Sequence, residues 1–233
     1  MTNKDDSRLL DKFLYKFYPK QLYRKTTFSQ TGEDLLIKSC LSFLNITAPK
    51  YIDIGAHHPY YLNNTALLYE EGCTGINVEP NPVLFNYFKR FRKKDVNLNV
   101  GVGTRRGEAV FYRMSTSTLS TFSKEEAENY VKMGYKILDQ PVITVDTVPH
   151  LITAHNSGKF PEILSIDVEG LDHIILESLD LSTNYPKVIC AETTRFETEI
   201  DLKNKDQRLI QLLSDKGYAL FADTFVNTIF YKK

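Results

Sequence analysis

The sequence predicts an α/β protein: a doubly wound, mostly parallel seven-stranded sheet with an antiparallel last strand and helices on both faces. Two observations predict it. From residue 50 onward, short apolar runs alternate with amphipathic stretches, the pattern of strands joined by crossover helices. The last two runs, 218–221 and 226–231, lie too close together for a crossover helix, so the final strand must turn back.

The elements follow in order. Leu9, Leu10, Phe13, Leu14 and Phe17 mark one face of a helix within residues 1–18, read as packing on its own domain. A second helix follows Thr31, with Leu35, Leu36, Cys40, Leu41 and Leu44 on one side and Thr31 and Asp34 as a capping box variant. These make an N-terminal helical segment, residues 1–45, ahead of a main domain at 46–233. Within that domain, 51–55 reads as a strand stopped by Gly55, 63–71 as a helix ended by Gly72, and 74–79 as a strand. Residues 82–94 form a helix with proline near its start, turning Phe85, Phe88 and Phe91 inward; 96–102 is a third strand. Strands at 162–167 and 187–192 alternate with helices at 172–179 and 205–216, before the two closing strands. Residues 104–150 break the rhythm and read as an insertion on one edge of the sheet: strands at 108–113 and 141–145, a hydroxyl-rich loop at 114–121, and a helix at 124–132.

Composition narrows the function classes. Of 233 residues, 42% are hydrophobic and 25% charged, which excludes a disordered tail or a collagen-like fibre. Lys plus Arg (29) balance Asp plus Glu (29), so net charge gives no pointer to nucleic acid. The run Lys89, Arg90, Arg92, Lys93 and Lys94 reads as a solvated helix face rather than a phosphate or membrane patch. Three cysteines without C-x-x-C spacing suggest a reducing compartment. No apolar stretch approaches the roughly 20 residues of a membrane span, and the first residues lack a signal-peptide core. The expectation is a cytoplasmic protein, with self-association left open.

In a doubly wound sheet, ligands sit at the carboxyl ends of the strands where the strand order reverses. The first strand ends Asp53-Ile-Gly-Ala-His-His-Pro59, and Gly55 permits both a sharp turn and close ligand approach. The second ends in Glu79, suited to accept hydrogen bonds from two ribose hydroxyls. The loop has Gly55 alone, not G-x-G-x-x-G, and its bulky residues suit a nucleoside without a diphosphate, such as S-adenosylmethionine, better than a dinucleotide.

Five segments then carry a resemblance. Phe28-Ser-Gln-Thr-Gly-Glu-Asp34, Tyr51-Ile-Asp-Ile-Gly-Ala-His57, Gly72-Cys-Thr-Gly-Ile-Asn-Val-Glu-Pro-Asn-Pro82, Leu119-Ser-Thr121 and Ser165-Ile-Asp-Val-Glu-Gly170 resemble the FkbM-type family of S-adenosylmethionine-dependent methyltransferases, in the family's order, across residues 28–231. Cys73 stands where an aromatic residue is common in that family. The resemblance implies a Rossmann-like class I methyltransferase fold. It places Asp53, Gly55 and Ala56 along the methionine moiety and ribose of the cofactor, with Glu79 on the ribose hydroxyls. Pro80, Asn81 and Gly101 would border the adenine, and Gln30 and Asp34 would close the site.

Asp167 would face the methyl donor, as cofactor contact and as acceptor of a substrate proton, with His57 and His173 the next catalytic candidates. Glu169, Glu192 and Tyr60 are read as substrate-binding, Glu169 alternatively as the cap of the next helix. Tyr61, Tyr112 and Tyr135 join Tyr60 as aromatics suited to a polyhydroxylated acceptor. No histidine pair has metal-ligand spacing, so no metal is assigned. The expected reaction is methylation of a hydroxyl on a sugar, glycan precursor or related small molecule. The rivals are a non-catalytic carbohydrate-binding or scaffold protein on the same fold, and an NAD-linked oxidoreductase.

Overall fold

The computed structural model describes residues 25–168, 170–194 and 205–233. The apolar stripe at 9–17 and Glu169 lie outside the described residues. The first described helix is α1 (Glu33–Phe43), followed by β1 (Tyr51–Ile54), α2 (Ala66–Glu70), β2 (Gly75–Val78), α3 (Pro82–Phe91) and β3 (Val96–Leu98). Residues 101–146 contribute β4 (Gly101–Val102), β5 (Gly107–Val110), β6 (Arg113–Met114), a 3₁₀ turn at Ser117–Leu119, α4 (Lys124–Lys132), β7 (Ile137–Asp139) and β8 (Val142–Asp146). The chain then runs through α5 (Val148–His155), β9 (Ile163–Ile166), α6 (Asp172–Ser178), β10 (Val188–Glu192), α7 (Gln207–Asp215), β11 (Ala219–Asp223) and β12 (Asn227–Tyr231).

The main sheet has seven strands in the order β11-β12-β10-β9-β1-β2-β3. β1 pairs in parallel with both β2 and β9, β9 with β10, and β2 with β3. β12 pairs antiparallel with β10 and β11. The chain leaves β1 toward one edge of the sheet and β9 toward the other, so the crevice between β1 and β9 is the switch point. All four residues of β1 and of β9 are buried, as expected for strands covered on both faces. One face packs Ile52, Ile54, Leu164 and Ile166 against Val148, Leu151, Ile175, Leu176, Leu209 and Leu213. The other sets Tyr51, Ile163, Val188, Cys190 and Ile229 against Ile37, Cys40 and Leu41 of α1.

Four readings need correction. Residues 96–102 are not one strand: β3 stays in the main sheet, while β4 pairs in parallel with β8 in a separate three-stranded sheet ordered β4-β8-β5. Asn99 marks the break, its amide donating to the carbonyls of Glu79 and Pro80, both at 2.9 Å. Thr31 and Asp34 do not cap α1. Gly32 occupies that position at φ 94°, and Asp34 accepts from Thr27 Oγ1, the Phe28 N–H and Ser29 Oγ. Residues 148–155, to which the sequence reading assigns no element, form α5, whose Val148, Leu151 and Ile152 are buried. In α3, Arg92 follows the last turn fully buried, and Phe91 stays 42% exposed instead of turning inward.

Candidate active site

The sharpest local requirement is at the end of β1. Gly55 has φ 75°, and a Cβ built there would lie 1.8 Å from the carbonyl oxygen of Asp167. The Gly55 and Ala56 N–H groups both donate to the Val78 carbonyl, and the Asp167 N–H donates to Ile54. The ends of β1, β2 and β9 are thereby drawn together, and only glycine fits between them.

Around that point lies a cavity of about 550 Å³. Of the residues expected from sequence, Gln30, Gly55, His57, Glu79, Pro80, Gly101, Asp167 and Glu192 line it. Glu79 is 5% exposed, and each of its carboxylate oxygens accepts one backbone N–H at 2.7 Å: Oε1 from Asn81, Oε2 from His57. Burial pushes its carboxyl up to about 8, against the pull of those two N–H groups and with added repulsion from Asp53 and Asp167. Asp172 lies behind Asp167, pushed up to about 7 by burial first and by the charge of Asp167 second.

His57 adopts φ 55° and bridges the cavity rim to the insertion. Its Nδ1 lies 3.4 Å from the Tyr61 carbonyl and its Nε2 2.9 Å from Ser117 Oγ. A carbonyl can only accept, so Nδ1 carries the proton and Nε2 takes a hydrogen bond from the serine hydroxyl. Burial lowers the ring's pKa, which keeps it neutral.

The other expected residues lie elsewhere. Asp53, 3% exposed, sits behind the cavity wall, where its Oδ2 accepts from Thr65 Oγ1 at 2.8 Å and Asn63 Nδ2 at 3.1 Å. Burial raises its pKa while Thr65 and Arg92 oppose the rise. The Ala56 carbonyl accepts from the same Asn63 amide, and Asn81 is the N-cap of α3. Tyr60 donates to Glu70 away from the cavity; of the four tyrosines, Tyr61 is the one that lines it. His173 lies on α6, outside the lining, and Asp34 ties down residues 27–29 next to Gln30. Among the described residues, no group of three or more His, Cys, Asp or Glu side chains could hold a metal ion.

Several lining residues escaped the sequence reading. Asn227 is one: β12 runs antiparallel, so its first residue, not its last, reaches the carboxyl edge, directly opposite Glu192. Glu33 supports it from α1, with Oε1 accepting from Asn227 Nδ2 at 3.1 Å and Thr224 Oγ1 at 2.7 Å. Burial alone would raise the Glu33 carboxyl, but hydrogen bonds from Thr31 and Thr224 hold it at about 2. Leu84, Val102 and Phe122 supply an apolar slot beside Pro80 and Gly101, and the ring of Phe122 occupies the space a Gly101 side chain would need. The hydroxyl-rich loop, by contrast, stands out in the sequence as suited to lining a polyhydroxylated acceptor, and it contributes Ser117, Thr118, Ser120 and Thr121.

This strand order, with its glycine turn after β1 and buried acid after β2, defines a Rossmann-like fold of the class I methyltransferase arrangement. A family model described as Methyltransferase FkbM domain matches residues 53–220, and the chain belongs to that family. Among solved structures it is similar to a TehB-like SAM-dependent methyltransferase from Corynebacterium glutamicum ATCC 13032 Kitasato. That match has 11% identity, covers 99% of this chain and 100% of that one, and has a TM-score of 0.43. No curated protein matches significantly.

Proposed function

We propose that this methyltransferase uses S-adenosylmethionine to methylate a hydroxyl oxygen of a polyhydroxylated acceptor, a sugar, glycan precursor or related small molecule. The observation that carries the reading is the convergence of Gly55, Glu79 and Asp167 on one cavity at the switch point. The residues fit the cofactor. The two N–H groups fix the Glu79 carboxyl for two ribose hydroxyls, and the slot of Pro80, Leu84, Val102 and Phe122 suits an adenine face. When bound, the cofactor supplies an electrophilic methyl group on a sulfonium.

The chain's own part is to hold the acceptor and take its proton. Ser117, Thr118, Ser120 and Thr121 offer hydroxyls, and Tyr61 an aromatic face, to a ligand rich in hydroxyls. The cavity also carries the strand-end carboxyl groups of Asp167 and Glu192, which can accept hydrogen bonds from acceptor hydroxyls. Asp167 would take the proton of the acceptor hydroxyl as that oxygen is methylated and the methyl–sulfur bond breaks, with neutral His57 Nε2 on the rim the alternative. Alignment of oxygen, carbon and sulfur supplies much of the rate.

The test is Asp167→Asn, which keeps the shape of the side chain and removes its basicity. Turnover of labelled methyl donor should fall by ~10²-fold or more while affinity for S-adenosylhomocysteine changes little. Near-normal turnover at saturating donor would transfer the role to His57.

A further inference from the structure

We propose that the outer face of α3, together with Tyr61 at the cavity rim, docks the protein on an anionic membrane surface. The inference is independent of the methyl-transfer reading, because it concerns residues outside the cavity. Val83, Tyr87 and Phe91 stand at i, i+4 and i+8 along one face of α3 and are 44%, 41% and 42% exposed. A helix packed on its own domain turns such a stripe inward. Here the inward side is already occupied, by buried Phe88 and by Leu84 on the cavity wall.

The rings extend the strip toward the rim. Tyr87 stacks on Phe91 with centroids 6.5 Å apart, and His58 approaches Tyr87 at 5.4 Å. The next residue back, His57, packs at 6.1 Å on Tyr61, which is 62% exposed.

Charge fixes the kind of partner. Residues 82–94 contain no acid, and Lys89, Arg90, Lys93 and Lys94 are all exposed in a chain whose net charge is zero. The Lys89 ammonium and the Arg90 guanidinium lie over the rings of Phe85 and Phe91, each at 5.1 Å. Glu70 accepts from Tyr60, itself packed on Phe91, and Asp95, which follows Lys94, is buried against Arg92. An apolar and aromatic stripe interleaved with cations on one helix is what an interface of anionic headgroups over acyl chains recognises. A single-stranded nucleic acid shares the charge but needs rings splayed to receive bases. Here the rings lean on one another beside an aliphatic valine. Leu84 turns into the cavity one residue after Val83 turns out, so docking by α3 sets the cavity mouth beside the lipid surface.

The experiment is co-sedimentation of the whole chain with vesicles of phosphatidylcholine alone, and of phosphatidylcholine carrying phosphatidylglycerol. Binding should require the anionic lipid and weaken as salt is raised. Lys93→Glu with Lys94→Glu should cut partitioning by at least ~20-fold, given about fivefold per lost cation. Tyr87→Ala with Phe91→Ala should cut it at least ~10-fold at unchanged charge. Circular dichroism verifies the fold of each variant, and either pair alone suffices as a test. Failure of the wild type to prefer anionic vesicles, or wild-type binding by a folded variant, overturns the proposal. So does tighter binding to a single-stranded RNA oligonucleotide than to the vesicles.

Discussion

Gly55 shows how a single residue decides the site. Its φ of 75° and the 1.8 Å approach to the Asp167 carbonyl leave no space for a methyl group. Gly55→Ala must therefore push β1 and β9 apart at the switch point, costing about 2–4 kcal/mol. Thermal unfolding should show a drop of roughly 6–12 °C; a melting temperature within about 2 °C of wild type would show that the ends of β1 and β9 yield easily. The positions of Gly55 and Glu79 on the cavity were legible because each ends a strand. The surroundings of Asp53 were not, because they are set by Thr65, Asn63 and, beyond them, Arg92, whose burial no local pattern announces.

At the scale of elements, Arg92 holds the loop between β1 and α2 in place. Its five N–H groups donate to Asp95, Pro59, Asn63, Tyr51 and Thr65, at distances from 2.7 to 3.3 Å. That loop carries His57, Tyr61 and Asn64 into the cavity. Arg92→Met keeps the length but leaves the Asp95 carboxylate buried without its cation, so unfolding free energy should fall by about 3–5 kcal/mol. Chemical denaturation measures it, and a loss below about 1 kcal/mol would mean that Tyr51, Asn77 and the Gly75 N–H suffice for Asp95. In sequence Arg92 is one cation in a basic run, and only the turn of the chain at the end of α3 separates it from its exposed neighbours. The missed α5 has the opposite explanation. Val148, Leu151 and Ile152 sit at helical spacing around Pro149, but two histidines and a threonine in eight residues disguise so short a signal.

For the whole molecule, the alternation of runs and the short final connection suffice for the seven-stranded sheet, because crossover handedness leaves few other arrangements. The separate sheet of the insertion was not legible. It depends on β4 meeting β8, where Gly101 pairs with Val145, and local pattern says nothing about such distant pairing. The assembled edge concentrates Glu79, Asp167 and Glu192 around one cavity, while α3 carries its cations outside. The central claim, a nucleoside site built on Glu79, makes a proton-linked prediction. Burial holds Glu79 at about 8, whereas ribose hydroxyls favour its ionised form, so binding must expel a proton below that value. Calorimetric titration with S-adenosylhomocysteine should show affinity rising up to about tenfold per pH unit toward pH 8 and levelling above it. Proton release should appear below pH 8, and Glu79→Ala should bind at least ~10-fold more weakly with the pH dependence gone. Absence of binding by the wild type, or unchanged binding by Glu79→Ala, would contradict the account.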